Sequence, residues 1–174
     1  MSDSNDEVAV ISTAKGEMVV AFWPETAPDT VANFKKLAND SYYDGTCFHR
    51  IIKGFMIQGG DPLTKDPGEE HRWGTGGPGY MIDAEFSDRP HVKGVLSMAR
   101  SSDPNSAGSQ FFICLANCKP LDNQYTCFGE LISGEEVLEA LGEVACAGSE
   151  RSRPVDRQDV FSISIVSRAD AGVE

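Results

Sequence analysis

FHRIIKGFMIQGGD, Phe48 to Asp61, is the stretch whose reading decides the fold. Two short apolar runs, FHRII and FMIQ, flank Lys53-Gly54 and close on Gly59-Gly60-Asp61. β-Branched and aromatic residues bounded by Gly and Asp predict two strands around a tight turn. Arg50 and Gln58 are polar groups in this otherwise oily segment. A guanidinium has five donors and no acceptor, so among Phe and Met side chains it must find an acceptor. It is either a cation snorkelling from a sheet to pair with a carboxylate, or a donor held for a ligand's carbonyl or nitrogen. Pattern within the stretch leaves both readings open.

On the N-terminal side, EVAVIST and EMVVAFW flank Ala14-Lys15-Gly16 and predict a hairpin. In the second run Val19, Ala21 and Trp23 alternate with Met18, Val20 and Phe22, so both faces are apolar. Such a strand is covered on both sides, as in a closed barrel overlaid by a helix. Pro24 to Pro28 stop the strand and open a helix, with Asp29 and Thr30 suited to its N-terminus. Val31, Phe34 and Leu37 recur at helical spacing, and the helix should end near Asn39-Asp40.

On the C-terminal side, PLTKDPGEEHRWGTGGPGY is too rich in Pro, Gly and charge for regular structure. Loops of this length in compact domains are functional or mobile. Asp66, Glu69, Glu70 and His71 lie in it, and carboxylates spread over a loop are ordinarily solvated rather than metal-bound. Its G-x-G-x-x-G (Gly74, Gly76, Gly79) fails as a dinucleotide fingerprint. No apolar strand leads in, Pro78 interrupts it and no helix follows. HVKGVLSMA then reads as a strand, and QFFICLA as another, with Phe111, Ile113 and Leu115 opposite Gln110, Phe112 and Cys114. TCFGELI is a further strand, and SGEEVLEALGEV a short helix that Ser133 can cap. A charged connector, SERSRPVDRQD, precedes VFSISIV, where Phe161, Ile163 and Ile165 alternate with serines as a half-buried strand. The tail ADAGVE should fray. About eight short strands, two helices and one long loop argue for an antiparallel barrel or sandwich. With no repeat and no long linker, one domain over 1–174 is expected, its core at about 7–167 between short polar termini.

Composition narrows the function classes. A formal charge of −12 repels phosphate backbones and anionic headgroups, so neither nucleic acid nor membrane is an expected partner. No apolar run approaches the ~20 residues of a membrane span. MSDSNDEVAV lacks the basic-then-apolar plan of a signal peptide. Five cysteines, Cys47, Cys114, Cys118, Cys127 and Cys146, are an odd number without framework spacing and read as reduced thiols. Cys114 and Cys118 have no second Cys/His pair nearby to complete a zinc site. A reducing compartment, the cytoplasm, follows as the expectation.

Nucleophilic chemistry finds no support. GSQFF (Gly108 to Phe112) enters a strand without the turn of a G-x-S-x-G elbow. Cys47 and His49 are two apart and share a strand face, but a small buried Cys beside a structural His explains them. Paired carboxylates in apolar surroundings are missing, which disfavours glycosidase chemistry. Left over are apolar residues that can line a pocket, Phe55, Met56, Phe112 and Leu121, and polar ones that can border it, Arg50, Gln58 and Gln110. Such a site binds without bonding covalently.

FHRIIKGFMIQGGD, the GTGG of the long loop, and GVLSMA…GSQFFICLA…LD…FGELISG, in that order and spacing, resemble the cyclophilins, the cyclosporin-binding class of peptidyl-prolyl cis/trans isomerases. The resemblance runs from about Glu7 to Val166 and is strongest to the compact single-domain bacterial members. It implies a closed eight-stranded antiparallel β-barrel capped by two α-helices, and isomerase activity on proline-containing polypeptides with no cofactor and no metal. Folding assistance by a cytoplasmic monomer is the further expectation. Arg50 stands where the family has its catalytic arginine. Phe55, Met56, Phe112 and Leu121 stand at its proline pocket, and Gln58 and Gln110 at its polar contacts. Ala99 and Arg100 match a stretch that binds substrate partly through the backbone. Arg100 replaces the usual asparagine and is expected to add a cation at the groove edge. Tyr125 replaces a histidine that borders the pocket. Pro120 replaces the tryptophan of cyclosporin-sensitive members, so weak cyclosporin binding is expected. The loop from Pro62 to Trp73 is longer than in the compact eukaryotic members and is a candidate extra wall of the groove.

Overall fold

The structure, a computed structural model, describes residues 6–148 and 150–174. The polar N-terminal tip expected at residues 1–5 lies outside the described residues. β1 (Glu7–Thr13) and β2 (Gly16–Phe22) form the expected hairpin. They sit mid-sheet with β3 (Thr46–Cys47), β4 (Arg50–Ile52), β5 (Met56–Gly59), β6 (Val95–Met98), β7 (Phe111–Cys114), β8 (Cys127–Ser133) and β11 (Asp159–Ser167). The lateral order is β3-β11-β1-β2-β8-β6-β7-β5-β4, with antiparallel neighbours throughout. Its two outermost strands, β3 and β4, are consecutive in the chain, with only Phe48 and His49 between them. Three Cα steps span roughly 11 Å at most, whereas the edges of a flat nine-stranded sheet would lie about 38 Å apart. The sheet must therefore curl round on itself into a barrel-like shell. Among the described residues no ladder joins β3 to β4, so the seam is crossed by the chain itself.

Two helices complete the shell, α1 (Pro28–Asn39) and α2 (Glu135–Gly142). The amphipathic spacing places Val31, Phe34 and Leu37 of α1 in the core. Phe34 meets four rings, Phe22, Tyr43, Phe111 and Phe128, at centroid distances of 5.7, 5.2, 5.4 and 5.3 Å. Val137, Leu138 and Leu141 bring α2 into the same core. Along β7 the expected division holds: Phe111 and Ile113 face the core, while Phe112 and Cys114 join a second cluster with Met56 and Val95 on the other face.

Five local expectations are corrected. Ser133 does not cap α2. It ends β8, and Gly134 takes the cap position at φ 91°, where a Cβ would lie 2.5 Å from the Glu17 carbonyl oxygen. Phe161 does not face inward with Ile163: β11 bulges against Ser12/Thr13, so Val160 is buried and Phe161 is 56% exposed. The charged connector contributes a two-residue strand, β10 (Arg153–Pro154), paired with β9 (Cys146–Ala147) just ahead of it, and Ile51 N–H of β4 donates to the neighbouring Ser152 carbonyl at 2.7 Å. The tail turns back on itself, with Ala171 N–H donating to the Ser167 carbonyl and Val173 N–H to that of Arg168. The long loop contains two short 3-10 turns, Pro62–Lys65 and Pro67–Arg72.

Candidate active site

Strand register assembles the site. Arg50 of β4 pairs with Gln58 of β5, Gln58 with Phe112 of β7, and Phe112 with Ser97 of β6. These four residues form one row across the sheet, so their side chains share a face. Over this row runs a groove of about 590 Å³. Every site residue named from the sequence lines it except Gln110, which borders the adjoining stretch of groove along Gly74–Pro78. Met56 and Phe112 form its buried apolar floor, and Phe55, Ala99, Leu121 and Tyr125 pack on them as partly buried walls.

The polar border is a directed hydrogen-bond chain. Arg50 Nη1 reaches Gln58 Oε1 at 3.5 Å, Gln58 Nε2 donates to Gln110 Oε1 at 3.0 Å, and Gln110 Nε2 donates to the Gly76 carbonyl at 2.9 Å. Because a guanidinium cannot accept, its end of the chain orients both glutamine amides. The Arg50 side chain stays 40% exposed, with the Glu150 carboxylate 3.9 Å away. Arg50 lines the groove beside the apolar floor.

The long loop is anchored beneath this chain by Asp61. Its Oδ1 accepts from Leu63 N–H at 2.8 Å, and its Oδ2 from Gly74 and Gly76 N–H at 2.5 and 3.2 Å. A Cβ on Gly76 would lie 2.1 Å from Asp61 Oδ1, so glycine is required by close approach to a carboxylate rather than by a phosphate. Trp73 and Gly74 line the groove, so the end of the loop does form a wall beyond Arg50. Arg153 ties that wall to β10 by an ion pair with Glu70 at 3.0 Å. The loop's acidic residues thus serve pairing and turn roles; among the described residues no group of three His, Cys, Asp or Glu is placed to hold a metal ion.

Cys47 and His49 form no couple. Burial raises the Cys47 thiol, while burial, reinforced by Arg50 and Arg153 against an opposing Asp61, lowers His49 to about 4. Neither ring nitrogen of His49 has a partner among the described residues. A protonated thiol beside an uncharged imidazole is no activated nucleophile.

The sequence reading missed His91. It is buried behind the pocket floor, its ring stacked 6.2 Å from that of Phe112. Its backbone N–H donates to Asp122 Oδ1 at 2.7 Å, its Nδ1 lies 3.1 Å from the same oxygen, and its Nε2 lies 2.9 Å from Ser97 Oγ. An ionised carboxylate only accepts, so Nδ1 carries the proton, and Ser97 Oγ–H donates to Nε2 of the neutral ring. Burial lowers the His91 pKa, although the bond to Asp122 opposes it. Two departures noted from the sequence also turn out to be in contact: at the groove edge the Arg100 guanidinium lies over the Tyr125 ring, 4.6 Å from its centroid.

An apolar pocket beside an oriented guanidinium suits a non-covalent ligand with a small apolar ring next to an amide. The family model for cyclophilin type peptidyl-prolyl cis-trans isomerases matches residues 8–164. The chain belongs to the cyclophilins. It is 47% identical over 129 residues to the peptidyl-prolyl cis-trans isomerase of Synechococcus elongatus, covering 74% of this chain and 83% of that protein. Identity to peptidyl-prolyl cis-trans isomerase B of Bacillus subtilis is 48% over 116 residues, or 66% and 75% of the two chains. A Cryptosporidium parvum cyclophilin crystallised in the presence of the dipeptide Ala-Pro superposes with a TM-score of 0.81 at 35% identity, over 92% of this chain and 99% of that one. This cyclophilin is therefore a peptidyl-prolyl cis-trans isomerase, and its fold is the cyclophilin fold.

Proposed function

We propose that this groove turns X–Pro bonds by holding the twisted amide, with Arg50 as the catalytic residue. The observation that carries the reading is the Arg50–Gln58–Gln110 chain, which presents fixed donors beside a water-excluding floor of Met56 and Phe112. Rotation about the amide faces a barrier of ~18–20 kcal/mol from resonance, and no bond breaks. Catalysis then requires only that the twisted state bind better than either planar isomer. In that state the prolyl nitrogen loses conjugation and gains a lone pair, to which an Arg50 N–H donates. Phe55, Met56, Phe112, Leu121 and Tyr125 hold the ring while the acyl side turns. Gln58 and backbone groups near Ala99 and Arg100 steady the moving carbonyl.

Proline-containing polypeptide segments are the proposed substrates, and assistance to folding by a cytoplasmic monomer is the proposed setting. Five unpaired cysteines support a reducing compartment. The test is a protease-coupled isomerisation assay on a short proline peptide, with and without cyclosporin. Pro120 is exposed on a 3-10 turn beside Leu121 and does not line the groove, which supports weak cyclosporin binding. Catalysis with poor inhibition is the expected outcome. Strong inhibition would show that Pro120 does not govern the drug.

A further inference from the structure

Arg100 follows the end of β6 at the groove edge and bonds to a segment 24 residues away. Its Nε and Nη2 both donate to the Gln124 carbonyl, at 3.0 and 2.7 Å, and its Nη1 donates to that of Ser101 at 2.9 Å. All three nitrogens are thus engaged by backbone carbonyls on two segments. The flat face of the guanidinium covers the Tyr125 ring at 4.6 Å, and that ring meets Phe112 nearly edge-on, at 5.7 Å and 84°. The wall that Arg100 grips turns sharply, with Asn123 at φ 63°. The two residues by which this pocket departs from the family pattern are one contact.

We propose that Arg100 is a positioning residue of the proline pocket: a strap that holds the Tyr125 wall against Phe112 and sets how wide a ring the pocket admits. The proposal rests on the isomerase reading above. It assigns the cation to the wall rather than to the substrate. Only a planar fork can grip a carbonyl with two N–H groups while stacking on an aromatic face, so lysine is no substitute. A pocket of fixed width grips the ring equally in the planar and twisted states. Loosening it should therefore raise KM and leave kcat nearly untouched.

The test compares tetrapeptides carrying proline with otherwise identical peptides carrying pipecolic acid, whose ring is one methylene larger. Wild type should favour the five-membered ring. Arg100→Ala should raise KM for the proline peptide by about 3- to 10-fold, the scale of exposed cation–π and charge-assisted contacts, with kcat within about twofold. Its preference for proline over pipecolic acid should fall by a similar factor. Arg100→Lys and Arg100→Met, which keep the aliphatic stem and guard against misfolding, should behave like the alanine variant. Tyr125→Leu should narrow the same preference, and adding Arg100→Ala to it should cost little more, because the two act as a unit. An unchanged ring preference in a folded Arg100→Ala, or fully additive losses in the double variant, would overturn the strap while leaving the isomerase reading intact. A wild type inactive on both peptides would overturn that reading and the strap together.

Discussion

Arg50 can only donate, and that one-way property propagates. Gln58 must accept from it with Oε1, which leaves Nε2 to donate to Gln110, which in turn donates to the Gly76 carbonyl. The Arg50 cation thereby fixes the amide orientations of both glutamines. Its neighbour His49 is a different kind of residue. It is 7% exposed, with its pKa lowered to about 4 chiefly by burial, from an ordinary 6.5. Between those values the unfolded chain binds a proton that the native protein does not, so stability rises with pH through the window and is lost as pH falls. The full shift corresponds to roughly 3 kcal/mol. His91, also lowered by burial, acts in the same direction. Replacing His49 with Gln should therefore shrink the drop in Tm between pH 7 and pH 4.5, measured by thermal melts at both. An undiminished drop would place the acid sensitivity elsewhere. The floor residues and Arg50 were legible in the sequence because polar groups interrupt apolar runs there. His91 was not, since its partner Asp122 lies 31 residues away and such a pair leaves no local period.

Among the elements, α1 shows how a helix end is completed from a distance. Ala27 at its N-cap offers no side-chain acceptor. Glu85 takes that role instead, accepting from the N–H groups of Asp29 and Thr30 at 3.3 and 2.7 Å and from Thr30 Oγ1 at 2.8 Å. A carboxylate at a helix N-terminus satisfies open donors and opposes the positive end of the dipole. Loss of such a cap costs about 1 kcal/mol. In a chain of this size that is a fall of roughly 2–4 °C in Tm. Glu85→Ala should show it in a thermal melt, and an unchanged Tm would mean that solvent serves the helix end as well. The span of α1 was readable from Pro28 and the spacing of Val31, Phe34 and Leu37, whereas its cap was not. The same limit explains Phe161. Strict alternation predicts it inside, but a bulge is a property of two paired strands and one strand alone does not reveal it. β9 and β10 escaped notice because two residues are too few to display a period.

At the scale of the molecule, the sheet's wrap does the positioning. Its two edge strands are consecutive in the chain, and the hairpin that follows, β4 to β5, carries Arg50 and Gln58 to the row that Phe112 and Ser97 complete. The motif stretch is thus both the seam of the shell and one side of the groove, which is why reading it first led to fold and site together. Nothing in this arrangement calls for a nucleophile. Burial raises the thiols of Cys47, Cys114, Cys118, Cys127 and Cys146. The central claim is that an oriented guanidinium stabilises the twisted amide, and kcat/KM of Arg50→Ala on a short Ala-Pro peptide tests it most directly. With the fold verified by a thermal melt, the rate should fall by about 10²–10³, the usual effect of removing one preorganised donor. Arg50→Lys should fall into the same range, because a flexible ammonium lacks the planar fork. A folded Arg50→Ala that isomerises the peptide at the wild-type rate would contradict the account.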